Sequence, residues 1–110
     1  MSATNHYLNS NMSSIAQMNW NGLVMKIVRC GKTISIAGRG SIKSAITNGT
    51  ANLLVSGNYD GFSGSFCTSN GIFGYIAGKT SGIYLTTTSN VGAGAWFIFT
   101  GTLINIYDVT

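Results

Sequence analysis

Lys32-Thr33-Ile34-Ser35-Ile36-Ala37 alternates apolar and polar residues, so an extended chain puts Ile34 and Ile36 on one face and Thr33 and Ser35 on the other. Just before it, Leu23-Val24-Met25-Lys26-Ile27-Val28-Arg29-Cys30 is rich in residues that fit a pleated, half-buried surface. Only Gly31 separates the two runs, which predicts a tight hairpin or one strand with a bulge. Outward from this pair, similar short runs recur at 41–46, 51–55, 61–68, 72–77 and 83–87. The last, 96–109, is the longest and is expected to bend at Gly101. Asn48-Gly49 and Asn70-Gly71 read as hairpin turns of type I′, whose two central residues both need φ > 0. Asn58 and Asp60 mark a turn around Tyr59, and Gly92-Ala93-Gly94 marks another. Strands at this spacing, with no amphipathic helix between them, indicate a β-sandwich or barrel.

Residues 1–19 are rich in Asn and Ser, and their scattered Met, Leu and Ile show no sustained period. They read as an N-terminal arm or linker, with one β-domain over 20–110. The N-terminus has no basic and apolar segments of a secretory signal, and the longest apolar run, Ala95–Phe99, is far short of the roughly 20 residues of a membrane-spanning helix. No membrane insertion is expected.

Composition narrows the chemistry. Of 110 residues 7% are charged, the acids number two (Asp60 and Asp108), and His6 is the single histidine. General acid–base catalysis, nucleophile activation and metal binding need such groups placed together. Asp60 in a turn and Asp108 at a strand end do not make a glycosidase pair, and a triad would have to draw on His6 in the arm. The expectation is a non-enzyme with no cofactor and no metal. Gly38-Arg39-Gly40 and Gly92-Ala93-Gly94 lack the strand–loop–helix setting of a phosphate loop and read as turn glycines. Cys30 and Cys67 form no metal-type cluster. They either join as a disulfide across a core or stay as buried thiols, and the lack of an export signal favours thiols.

Five of the six basic residues lie between Lys26 and Lys43. Such a stripe suits nucleic acid or an acidic polymer, or it is the solvated face of a weakly charged protein. Nucleic-acid binding also asks for exposed aromatics among the basic residues. The 26–43 stretch has none, so no nucleic-acid partner is expected. Most strand aromatics read as core: Trp96 or Phe97 faces inward, and Phe66, Phe73 and Phe99 are natural fillers. Tyr59, flanked by Asn58 and Asp60, has two readings, a turn-packing residue or an aromatic platform for a sugar ring with polar neighbours.

The opening Asn21-Gly22-Leu23, the strand Gly31-Lys32-Thr33-Ile34-Ser35-Ile36-Ala37-Gly38, an Asn-Gly-Thr turn and the closing Ala93-Gly94-Ala95-Trp96-Phe97-Ile98-Phe99-Thr100-Gly101-Thr102-Leu103-Ile104 follow in an order that resembles the C-terminal receptor-binding head domain of tail-fibre or baseplate proteins of phages, or prophages, of Gram-positive hosts. The resemblance covers about residues 20–105 and its most telling part is the closing strand. It departs at Gly57-Asn58-Tyr59-Asp60-Gly61-Phe62, where the family carries a Pro-containing turn; Tyr59 there takes the place of a structural turn aromatic. The resemblance implies a jelly-roll-like antiparallel β-sandwich of about eight short strands. It also implies a homotrimer in the virion, at the tail tip or baseplate, assembled in the host cytoplasm beside other tail or baseplate proteins. Its implied partner is a cell-wall polysaccharide or teichoic-acid-like polymer. Candidate saccharide contacts are Arg39, Asn58, Tyr59, Asp60, Tyr75 and Lys79. The alternative is a structural tail-fibre or trimerisation module with no ligand of its own.

Overall fold

The structure, a computed structural model, describes residues 12–106. Eight strands make up the fold: β1 (Met12–Trp20), β2 (Leu23–Cys30), β3 (Thr33–Ser41), β4 (Asn52–Ser56), β5 (Phe62–Thr68), β6 (Phe73–Lys79), β7 (Gly82–Thr87) and β8 (Trp96–Asn105). They pair antiparallel in a single sheet of order β1-β2-β3-β8-β5-β6-β7-β4. Strands β5, β6 and β7 follow one another, and β4 returns beside β7 in a Greek key. The fold is thus all-β and jelly-roll-like, with the two layers of a sandwich joined as one sheet that curls around one core into a nearly closed barrel.

Strict alternation explains the curl. Along β8 the odd-numbered Phe97, Phe99, Gly101 and Leu103 face in, while Trp96, Ile98, Thr100, Thr102 and Ile104 face out. Leu23, Met25 and Ile27 of β2 and Ile34 and Ile36 of β3, next to β8 in the sheet, face the same core. Three rings meet edge to face, Phe66 against Phe99 at 5.4 Å and Phe97 against Phe99 at 5.8 Å between centroids. Gly101 makes room for this packing, since a Cβ there would sit 2.5 Å from Ile76 Cδ1 and 3.1 Å from Phe66 Cβ.

The strand count matches expectation, but its members differ. The run 41–46 is not a strand of its own. Ser41 ends β3, and the chain then crosses the barrel end toward β4, held by Ile42 N–H to the Ala95 carbonyl (3.0 Å) and by the Ile46–Val91 bridge. Buried Ile42, Ile46 and Val91 plug that end, so the apolar periodicity belonged to a cap. In its place stands β1, over residues assigned to the arm; residues 1–11 lie outside the described residues. Its turn is Asn21-Gly22, with φ of 52° and 84° and the pairing Trp20↔Leu23, a two-residue loop with both central φ positive. Neither of the other Asn-Gly pairs does this. Thr50 N–H donates to the Thr47 carbonyl around Asn48-Gly49 inside the crossing loop. Asn70-Gly71 does turn the β5–β6 hairpin, but only Gly71 has positive φ (83°). The β2–β3 connection is a two-residue hairpin, Gly31-Lys32, between Cys30 and Thr33.

Candidate binding face

The outward residues of β2, β3, β8, β5 and β6 form continuous rows, because the register sets them side by side. One row runs Lys26, Ala37, Thr100, Cys67, Phe73; the next runs Val28, Ser35, Thr102, Ser65, Tyr75. Small side chains occupy the middle three strands and larger ones both flanks. The result is a set of shallow depressions on an otherwise convex wall, and Thr100 borders all three of them. The one beside β6, of about 550 Å³, is floored by Ser65, Cys67 and Thr102 and walled by Phe73. The one beside β2 and β3, of about 250 Å³, lies between Val24, Lys26, Arg39 and Ile98.

Phe73, Tyr75 and Trp96 are 61%, 50% and 53% exposed, which sets them apart from the buried rings Phe66, Phe97 and Phe99. An exposed aromatic is held only as well as its backbone. The Phe73 carbonyl accepts from Thr88 N–H (3.0 Å) and Thr88 Oγ1 (2.9 Å). Asn70 Nδ2 donates to the Trp96 carbonyl (3.2 Å), and Ser69 N–H to that of Ile98 (3.0 Å), which ties the β5–β6 turn to the start of β8. Thr68 Oγ1 bonds Asn70 Oδ1 and accepts from Ile72 N–H at 2.9 Å, closing the same turn.

The six candidate contacts do not converge. Arg39 and Tyr75 share the outer face, but three strand spacings across the sheet and four residues along the strands separate them, roughly 20 Å along the surface. Lys79 lies at the far end of β6, its Nζ 4.9 Å from the Tyr84 ring centroid, while Tyr84 hydroxyl and Ser81 Oγ bond at 2.7 Å. Asn58, Tyr59 and Asp60 sit in the β4–β5 turn, away from the rows. Asn58 Oδ1 accepts from Asp60 N–H (3.2 Å), and Tyr59 is half-buried against the core with its N–H on the Lys79 carbonyl (2.9 Å). The Tyr59 ring also lies over Gly57 and its backbone passes close to Gly78, so the turn-packing reading fits its surroundings better than the platform reading.

Three side chains depart from their expected places. Phe73 faces solvent instead of the core, because it shares the parity of the outward residues on β6; of the pair Trp96 and Phe97, Phe97 takes the inward position, as one of the two had to. The cysteines are not buried thiols: Cys67 is exposed on the floor of the face and Cys30 half-buried at the end of β2, both free. Parity along β6 and β8, counted from Ile76 and Phe97, was the signal that locates the aromatic face. The register that sets these aromatics on the same face as Lys26 and Arg39 has no trace in the 26–43 stretch alone.

Among the described residues no three His, Cys, Asp or Glu side chains group as metal ligands. No family model matches this chain. A search of curated proteins likewise finds no match.

Proposed function

We propose that this protein is a non-enzymatic saccharide-recognition module, acting as the receptor-binding head of a phage or prophage tail, and that the outer face of β2, β3, β8, β5 and β6 is its binding surface. The observation that carries the reading is the pairing of exposed Phe73 and Tyr75 with a floor of Ser65, Thr100 and Thr102. A sugar ring has an apolar face and a rim of hydroxyls. Aromatic faces take the first, and hydroxyl side chains, which both donate and accept, take the second. The rigid ladder beneath fixes both sets without ordering a loop on binding, which limits the entropic cost. Weak single sites suffice if several copies are presented together, so a homotrimer on a tail suits this chemistry.

The test is binding of purified wall polysaccharides and a glycan panel by calorimetry, with the Phe73→Ala/Tyr75→Ala pair as the variant. Loss of at least about tenfold in affinity with an unchanged melting temperature is the expected result. Binding that ignores both substitutions removes this face from the site.

A structural module is the second reading, favoured by the exposed apolar side chains of Val24, Ile98 and Ile104, which a neighbouring subunit would cover. Analytical ultracentrifugation separates the two: a trimer weakened by Ile98→Lys and no glycan bound supports the structural role, and a stable monomer at micromolar concentration removes the trimer from both.

A further inference from the structure

The face is chemically asymmetric, and that asymmetry bears on what lies across it. Its β6 end holds Phe73 and Tyr75 and has its cation, Lys79, drawn away over Tyr84. Its β2–β3 end holds two cations, Lys26 and Arg39, bordering one depression with Val24 and Ile98. The one acid among the described residues, Asp60, sits in the β4–β5 turn and belongs to neither end. Between the two ends the floor is Ala37, Thr100 and Cys67 in one row and Ser35, Thr102 and Ser65 in the next.

We infer that the ligand lies across the strands as an extended glycan that follows the wall, with a sugar ring on Phe73 and Tyr75 and an anionic substituent, phosphate or carboxylate, three to four strands away at Arg39 and Lys26. Three to four strand spacings of about 4.8 Å separate β6 from β3 and β2 at the backbone, and the path over the convex outer wall is longer than their sum. This rests on the saccharide reading above and adds charge, direction and minimum length. Charge complementarity selects the occupant. Arg39 offers a planar fork to a phosphate or carboxylate, and Lys26 a second donor beside it, on a wall whose apolar neighbours limit competition from water. Single-stranded nucleic acid fits less well, since it carries a phosphate at every nucleotide and Lys79, the cation of β6, is set over the Tyr84 ring.

The experiment compares, by calorimetry or array, neutral oligosaccharides of graded length with the same oligosaccharides bearing one phosphate or carboxylate, and includes fluorescent (dT)12. The protein is used as the wild type, Lys26→Ala/Arg39→Ala, Phe73→Ala, and Lys32→Ala/Lys43→Ala as a control of equal charge. Support is a gain of at least about tenfold for anionic over neutral ligands, appearing only once the chain spans both ends, and abolished by Lys26→Ala/Arg39→Ala but not by the control. Neutral glycans that bind equally well, lose affinity with Phe73→Ala and ignore Lys26→Ala/Arg39→Ala overturn this inference and leave the saccharide reading standing. Failure of every glycan overturns both. Binding of (dT)12 above any glycan, lost in Lys26→Ala/Arg39→Ala, overturns both in favour of nucleic acid.

Discussion

Thr88 holds Phe73 by two hydrogen bonds to one carbonyl oxygen, from its backbone N–H at 3.0 Å and its hydroxyl at 2.9 Å. The first residue of β6 is thereby pinned to the chain leaving β7. Thr88→Val keeps the backbone bond and the side-chain shape but removes the hydroxyl. The expected loss is about 1 kcal/mol, read as a melting temperature lower by roughly 4–8 °C. An unchanged melting temperature would mean that water replaces the hydroxyl without cost.

Gly101 faces the core where Ile76 and Phe66 converge, so Gly101→Ala overpacks the barrel. A loss of about 1–3 kcal/mol is expected in urea unfolding. The atom in the way is Ile76 Cδ1, which Ile76→Val deletes. The double variant Gly101→Ala/Ile76→Val is therefore expected to be more stable than the sum of the two single changes. Simple additivity, measured by a double-mutant cycle, would refute the contact.

Asn21 does two jobs: it takes the positive φ of its turn and its side chain clasps Ser44, Oδ1 accepting from Ser44 N–H (2.8 Å) and Nδ2 donating to the Ser44 carbonyl (2.9 Å). Asn21→Ala loses both bonds and adds strain at φ > 0. Amide exchange is expected to speed up most in β1 and at the crossing loop around Lys43 and Ser44, with β5–β7 little changed.

Cys30 and Cys67 stand on β2 and β5 with two strands between them and four residues of offset along the strands, well beyond the roughly 7 Å Cα limit for a disulfide. Mass spectrometry after alkylation of the native protein should find two thiols, with Cys67 labelled first because it is the exposed one. A species blocked at both until reduction would contradict the fold.

Tyr59→Ala should act on stability. The ring is half-buried over Gly57 and packs on the core, so its removal is expected to cost about 2 kcal/mol or more in urea unfolding, while glycan affinity of the folded protein stays unchanged.

Much of this was legible from local pattern. Alternation in β2, β3 and β8 identifies those strands and their inward residues, because a period of two leaves one assignment when one face is buried. The missed strand had a different signal: β1 lacks clean alternation in its sequence, and its evidence is the Asn21-Gly22 turn that joins it to a strong neighbour. Residues 41–46 misled in the opposite way, as Ile42 and Ile46 are buried by a cap. The binding face was hardest to see. It is assembled from β2, β3, β8, β5 and β6, and only the order of strands in space sets Phe73 in a row with Lys26.

The position of β8 has a consequence for synthesis. The meander β1–β3 and the group β4–β7 share no strand pair; β8 alone pairs with both, with β3 on one side and β5 on the other. A ribosome therefore releases two half-sheets with bare inner edges, and they remain unjoined until Trp96–Asn105 has emerged and slotted between them. Of the eight strands the keystone arrives last, so the edges of β3 and β5 stay open to wrong edge-to-edge pairing for the whole interval before it appears.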